Sequence, residues 1–209
     1  MPSSTGLSLN DVLMDPPNIL NRLWDVLMRF EASPIVAVCD VSKQYRMVQV
    51  DQDQLDFLRF LWVDRSGNLV HYRHRVLVWG VKTAGFLAGA CVKHLATANR
   101  DQFPEVLDSV DKLTYADNHV IAGPTPKSVI RKAKAMIEVF GRGGFELKKW
   151  SSNSKEVLDA VPRDLHEPGA VRFVEEGGCF PILGVGWDPK DDSFFFKVTP
   201  YNRPRAVTK

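Results

Sequence analysis

The stretch Leu113–Gly123, which reads Leu-Thr-Tyr-Ala-Asp-Asn-His-Val-Ile-Ala-Gly, constrains this chain most. A short strand-forming run climbs to Asp117 and Asn118, and a second run, His119–Ala122, leaves again. That is the pattern of a tight β-hairpin with an acidic tip. An aspartate at a hairpin tip is ordinary turn chemistry when it stands alone. Here it has a counterpart. The apolar run Pro34-Ile-Val-Ala-Val-Cys39 ends at Asp40 and leads into Val41-Ser-Lys-Gln-Tyr45. Two strands from distant parts of a chain, each ending in aspartate, offer what a two-metal phosphoryl-transfer site requires. Mg²⁺ prefers hard oxygen ligands, takes one or two carboxylates, and leaves its other positions to water and phosphate.

Length and composition set the frame. A chain of 209 residues, 44% hydrophobic, can bury a real core, as one domain with at most a small appendage. A formal charge of +2 neither demands nor excludes a nucleic-acid partner. The basic residues are unevenly placed, however: between Lys127 and Lys155 they outnumber Glu138 and Glu146. Such a stripe suits contact with a phosphate backbone, and it equally suits a solvated helix face. The cysteines Cys39, Cys91 and Cys179 are odd in number and form no CxxC pair. They fit reduced thiols rather than a disulfide framework or a zinc site. No apolar run approaches the roughly 20 residues of a membrane helix, and the N-terminus lacks the apolar core of a signal peptide. The expectation is an intracellular protein, cytoplasmic or nuclear, with no membrane partner.

Along the chain, Asp15-Pro-Pro-Asn18 introduces an amphipathic helix carrying Ile19, Leu20, Leu23, Trp24, Val26, Leu27 and Phe30, which stops before Ser33-Pro34. After the strand to Asp40, Tyr45–Val50 reads as an alternating segment, and Asp51–Leu55 as a turn. Phe57–Val63 and Leu69–Val78 are strand-like runs joined by Asp64-Arg-Ser-Gly-Asn68, a hairpin loop by composition. Thr83 to Arg100 is Ala-rich and helical, as is Lys127 to Arg142, which Gly143-Gly144 terminates. Phe145–Trp150 is extended, Asn153–Ala160 a short helix capped by Ser152 or Asn153, and Pro162–Gly178 a loop. Phe180–Trp187 and Ser193–Val198 form a last hairpin. The order is helix, strand, hairpin, helix, hairpin, helix, hairpin. It predicts an α+β fold, an antiparallel sheet with helices on one face. The boundaries fall at 1–32 for an N-terminal extension with its helix, 33–200 for the main unit, and 201–209 for a polar tail.

Several residues invite chemistry and have ordinary readings beside it. Tyr45 lies close after Asp40 and is equally a core tyrosine. His119 reads as a surface residue rather than a metal ligand. His71 and His74, three apart on a strand-like run, face opposite sides and make no metal site. Lys148-Lys149-Trp150 suits phosphate binding or a solvated basic edge. Gly141-Arg-Gly-Gly144 has the glycines of a phosphate loop, but it follows a helix instead of opening one and reads as a C-cap.

Taken in order, these pieces resemble the palm of a reverse transcriptase, with a partial fingers hairpin and no thumb. The match is to the polymerases of BEL/Pao-type long-terminal-repeat retrotransposons, and it runs from about Ser8 to Val198. Ser8-Leu-Asn-Asp-Val-Leu13 resembles the fingers-to-palm entry, Val38-Cys-Asp-Val-Ser-Lys-Gln-Tyr45 the first catalytic motif, and Trp79-Gly-Val-Lys-Thr-Ala-Gly-Phe-Leu-Ala88 the template-handling motif. Tyr115-Ala-Asp-Asn118 stands where the family has Tyr-x-Asp-Asp. Gly143-Gly-Phe-Glu-Leu-Lys-Lys-Trp-Ser-Ser-Asn-Ser154 is the most family-specific stretch, and Ile182-Leu-Gly-Val-Gly-Trp-Asp188 resembles the primer-grip hairpin.

The resemblance implies an RNA-directed DNA polymerase that adds dNTPs to a primer on an RNA or DNA template. It implies two Mg²⁺ ions (or Mn²⁺) on Asp40, Asp117 and the carbonyl of Val41, with Asn118 beside them. Tyr45 would stack under the incoming sugar and exclude a 2′-hydroxyl, with Gly80, Tyr115 and Phe86 near the nucleotide and template. Lys148 or Lys149 would donate a proton to the leaving group, and Leu183-Gly184 would hold the primer end. The chain departs from the family at Asn118, which replaces an aspartate, at Gly85, which replaces a proline, and at Met47, which replaces a glutamine. The upstream fingers strands, the thumb, and the RNase H and integrase regions have no counterpart in it. These departures raise a second expectation, a catalytically dead retrotransposon-derived module that binds nucleic acid or protein. A third, with Asp40 as the nucleophile of a phosphohydrolase, is disfavoured because such enzymes want a second acid where Ser42 stands.

Overall fold

The computed structural model describes residues 6–170, 180–188 and 193–196. Its first half contains α1 (Leu9–Val12), α2 (Leu23–Glu31), β1 (Ile35–Val41), α3 (Gln44–Met47), a 3₁₀ segment (Gln52–Leu58), β2 (Arg59–Val63), β3 (Leu69–Arg73) and α4 (Ala84–Ala98). There follow α5 (Pro104–Leu113), β4 (Thr114–Tyr115), β5 (Asn118–Gly123), α6 (Pro126–Arg142), β6 (Leu147–Ser152) and α7 (Lys155–Asp159). After a 3₁₀ turn at Arg163–Leu165 come the short strands β7 (Phe180–Ile182), β8 (Val185–Asp188) and β9 (Ser193–Phe195).

The Ile-Val-Ala-Val-Cys run of β1 makes it the central strand. It pairs antiparallel with β5 on one side and β6 on the other, giving a four-stranded sheet of order β4-β5-β1-β6. Strands covered on both faces read as continuous apolar runs rather than alternating ones, which is why β1 shows no period of two. One face carries Ala37, Cys39, Val41 and Ile121 and packs against α4, α5 and α6, with Phe140 and Trp150 at the centre. The other carries Val36, Val120 and Ala122 and packs against α2 and the β7–β9 sheet through Phe30, Ile182 and Trp187. Phe30 meets Trp187 edge-on at 4.9 Å. Each such buried large side chain contributes about 1.5–3 kcal/mol. The connections interleave two split β-α-β units, β1 to β4 and β5 to β6, with β5 and β1 each lying between the other pair. The fold is α+β with antiparallel sheets.

Particular expectations need correction. Helix α5 lies in a stretch for which no element was expected; Pro104 starts it, and Val106 and Val110 point into the core. Tyr45–Val50 is not an alternating strand, because α3 takes up Gln44–Met47. The run Phe180–Trp187 is not one strand but a hairpin, β7–β8, which turns at Leu183-Gly184 with φ of 50° and 87°. Ser154, not Ser152 or Asn153, occupies the N-cap position of α7. The expected glycine C-cap is present, with Gly143 closing α6 and Gly144 at φ 75°. Cys179, the end of the last expected strand at Val198, and the tail 201–209 lie outside the described residues.

Two features frame the end of β1. The β2–β3 hairpin forms a separate two-stranded sheet with every residue of β2 exposed. The N-terminal segment is tied down at both ends. Asn10 Nδ2 donates to the Gly80 carbonyl (2.8 Å), and Asn10 Oδ1 accepts from Lys82 N (2.8 Å). Further on, Asn21 Nδ2 donates to the Thr114 carbonyl (2.8 Å). Between these anchors, Pro16–Leu20 runs along the wall of a cleft.

Candidate functional site

The sheet brings Asp40 and Asp117 to one place. Asp40, near the C-terminal end of β1, sits opposite Asn118 in the β1–β5 register. The Val41 N–H donates to the Asp117 carbonyl at 2.9 Å. Asp117 is on the turn of the β4–β5 hairpin, whose strands pair Tyr115 with Asn118. A two-residue turn matches the twist of its strands when its first residue has positive φ. Ala116 takes that conformation, at 55°, without the freedom of glycine. Asn118 Nδ2 donates to Asp117 Oδ1 at 3.1 Å, so the amide leans on the exposed carboxylate.

Asp40 is recessed, with 16% of its side chain exposed, and its Oδ2 receives the ammonium of Lys149. A β-bulge delivers that lysine. The β1–β6 register slips between Val38 and Asp40, and Lys149 adopts φ 56°. A bulge re-aims a side chain by placing two residues opposite one. Trp150 consequently turns into the core, fully buried, its Nε1 donating to the Leu147 carbonyl (3.2 Å). Lys148 pairs instead with Glu146 at 3.1 Å. Of the two lysines the sequence left open, Lys149 therefore reaches the acidic pair. The hydrogen bond to Asp40 raises the Lys149 pKa, opposed by partial burial and assisted by the charges of Asp40, Glu167 and Asp117.

Beside Asp117 lies a cleft of about 430 Å³, lined among others by Ile19, Leu20, Tyr45, Trp79 and Phe86; Asp40 is not among its lining residues. Tyr45 and Trp79 meet edge to face at 6.1 Å. Gly85 also lines it, and a Cβ there would stand 3.5 Å from the Tyr45 hydroxyl, an ordinary contact. Trp79 is 82% exposed, an aromatic plate at the cleft mouth. Tyr45 and Phe86 thus join Asp117 in one cavity, as grouped from the sequence. Gly80 does not line it: at φ 90° it turns the chain, and its carbonyl is held by Asn10. Tyr115 packs half-buried with Leu113 on the α2 side of the sheet, and Leu183 packs on the same core from the β7–β8 turn.

His119 corrects the sequence reading. It is not a surface residue but has no exposed surface, lying under the acidic turn on the helix side. Its Nδ1 is 2.8 Å from Thr114 Oγ1, its ring stands edge-on to Phe140 at 4.9 Å, and Nε2 has no hydrogen-bond partner among the described residues. Burial pulls its pKa down to about 3, so the ring is neutral. Cys39, its register partner, is a buried free thiol whose pKa burial pushes up. Neither side chain faces the carboxylates.

Among the described residues no group of three or more His, Cys, Asp or Glu side chains could hold a metal. What the site offers is two carboxylates, a side-chain amide and nearby backbone carbonyls, all hard oxygen donors. That set suits Mg²⁺ or Mn²⁺, which take few protein ligands, and does not suit a softer metal. No described helix is long and apolar enough to cross a membrane. No protein-family model matches this chain, and no curated protein matches it either.

Proposed function

We propose that this chain carries a nucleotidyl-transfer site of the reverse-transcriptase type, acting on a primer-template and dNTPs. One observation carries the reading: two aspartates from distant segments meet at neighbouring strand ends, linked by the Val41 N–H to Asp117 carbonyl bond. The aromatic cleft beside Asp117 and the ordered motifs from Ser8 to Asp188 support it. Asp40 and Asp117 are the ligands of a Mg²⁺ pair, with the Val41 carbonyl assisting and Asn118 supplying an uncharged donor. When bound, such ions activate a 3′-hydroxyl and neutralise triphosphate charge. Tyr45, Phe86 and Trp79 provide the apolar surface against which a sugar and base lie. Lys149, whose ammonium is held on Asp40, carries a proton that a leaving pyrophosphate would need. The palm-like sheet and the β2–β3 hairpin, as partial fingers, are part of the same reading.

Primer extension on an RNA template with Mg²⁺ or Mn²⁺ tests it. The expected result is incorporation that falls roughly a hundredfold or more in Asp40→Ala and in Asp117→Ala. Incorporation indifferent to both changes sinks the proposal. A second reading, a module that binds nucleic acid or protein without transfer, has the Lys149–Asp40 pair and the amide at Asn118 in its favour. It gives, for nucleic acid, salt-sensitive binding with no incorporation at any metal concentration.

A further inference from the structure

The acidic residues of the site do not stand on equal terms. Asp117 is exposed, and the hydrogen bond its carboxylate receives comes from the amide of its neighbour Asn118. Asp40 is recessed, and Lys149 Nζ already holds its Oδ2. Strand alternation does not put Lys149 there. The bulge does, and it does so through a left-handed backbone at a lysine, a conformation L-residues with a side chain avoid. The next lysine along, Lys148, is turned to Glu146 and makes no such contact.

An ammonium therefore already occupies one of the two oxygens through which Asp40 would hold a cation. We propose that Lys149 is an internal counter-ion to Asp40, a latch that a divalent ion must displace before the site can load. The inference rests on the reading of Asp40 and Asp117 as metal ligands. The ammonium held on Oδ2 repels a divalent ion brought to the same carboxylate, so the ion loads Asp40 chiefly in the fraction of molecules whose latch is open. Its apparent affinity is reduced by that fraction. Glu167, whose N–H donates to the Trp150 carbonyl at 3.0 Å, and Asp117 add their charges to that of Asp40 in the field at Lys149.

Mn²⁺ titration of the full chain, without nucleotide or nucleic acid, tests the latch by electron paramagnetic resonance of the free ion. Lys149 is exposed, so Lys149→Met leaves the core intact, and Lys149→Arg keeps a cation in place. The expected result is Mn²⁺ binding roughly tenfold tighter or more in Lys149→Met than in the natural chain. Lys149→Arg stays weak, and adding Asp40→Asn to Lys149→Met erases the gain. Equal affinity with and without Lys149, lost in both cases with Asp40→Asn, overturns the latch while the ligand reading stands. A gain that survives Asp40→Asn overturns it too. No binding in Lys149→Met at millimolar Mn²⁺ overturns both the latch and the reading beneath it.

Discussion

β1 and β2 are both runs dominated by apolar, strand-forming residues, yet β1 is buried or half-buried along its whole length and β2 is exposed along all of its own. Composition alone makes a strand; neighbours decide whether it becomes a core. β1 has a strand on each edge and a hydrophobic cluster on each face. Among the described residues β2 pairs with β3 alone, and its stacked pair Phe60–Tyr72 (5.7 Å) and the Phe60–His74 stack (4.5 Å) are the hairpin's own packing. A two-stranded hairpin is marginal by itself, whereas a central strand opens only with the whole domain. Asp40 is on the rigid element, where a ligand can be held to a fixed geometry.

The largest test of this contrast truncates one aromatic in each region. Phe140→Ala, in the core under β5, is expected to cost about 3–5 kcal/mol in denaturant unfolding. Trp62→Ala, at a residue 60% exposed on β2, is expected to change stability by less than about 0.5 kcal/mol. Comparable losses would mean that the hairpin is part of the cooperative core after all.

Acid sharpens the contrast next. His119 is neutral in the fold because burial holds its pKa at about 3, while an unfolded histidine titrates near about 6.5. Its contribution is complete above about pH 6.5 and is lost as pH falls toward 3, since only the unfolded chain takes up the proton. The loss approaches about 1.4 kcal/mol per unit, or about 2 kcal/mol by pH 5. Unfolding midpoints measured from pH 7 to 5 should fall less steeply in His119→Leu; an unchanged slope would refute the assignment.

The smallest effect concerns the acidic turn. Ala116→Gly removes a left-handed alanine that costs about 1–2 kcal/mol and adds glycine's entropic cost of about 0.5–1 kcal/mol. A net gain of about 0.5 kcal/mol in thermal or denaturant unfolding is expected. A loss would show that the turn is held by something other than backbone preference.

The long helices and the acidic hairpin were legible because their signals are local. Apolar spacing marked α4, α6 and the body of α2, which starts only at Leu23 and leaves Ile19 and Leu20, expected on it, outside; the Asp117-Asn118 tip marked the hairpin. Helix α5 was missed although Pro104 stands at its start and Val106 and Val110 are spaced for one face, because Glu105, Asp108, Asp111 and Lys112 dilute the apolar pattern. The alternation of Tyr45–Val50 was illusory: apolar residues occupy both sets, and so short a run carries no period. The burial of His119 and the choice of Lys149 over Lys148 were unreadable for a deeper reason. The histidine is buried by Phe140, the lysine is aimed by a register slip against β1, and neither cause lies next to the residue in the chain.

Leave Lys149 out of β6 and the remaining residues alternate regularly: Leu147 and Trp150 inward, Lys148 and Ser151 opposite Asp40 and Val38. The architecture has no use for that residue. A chain shortened by this single codon would keep its hydrophobic interior and lose only the side chain that grips the recessed acid, so scaffold and chemistry can change here independently.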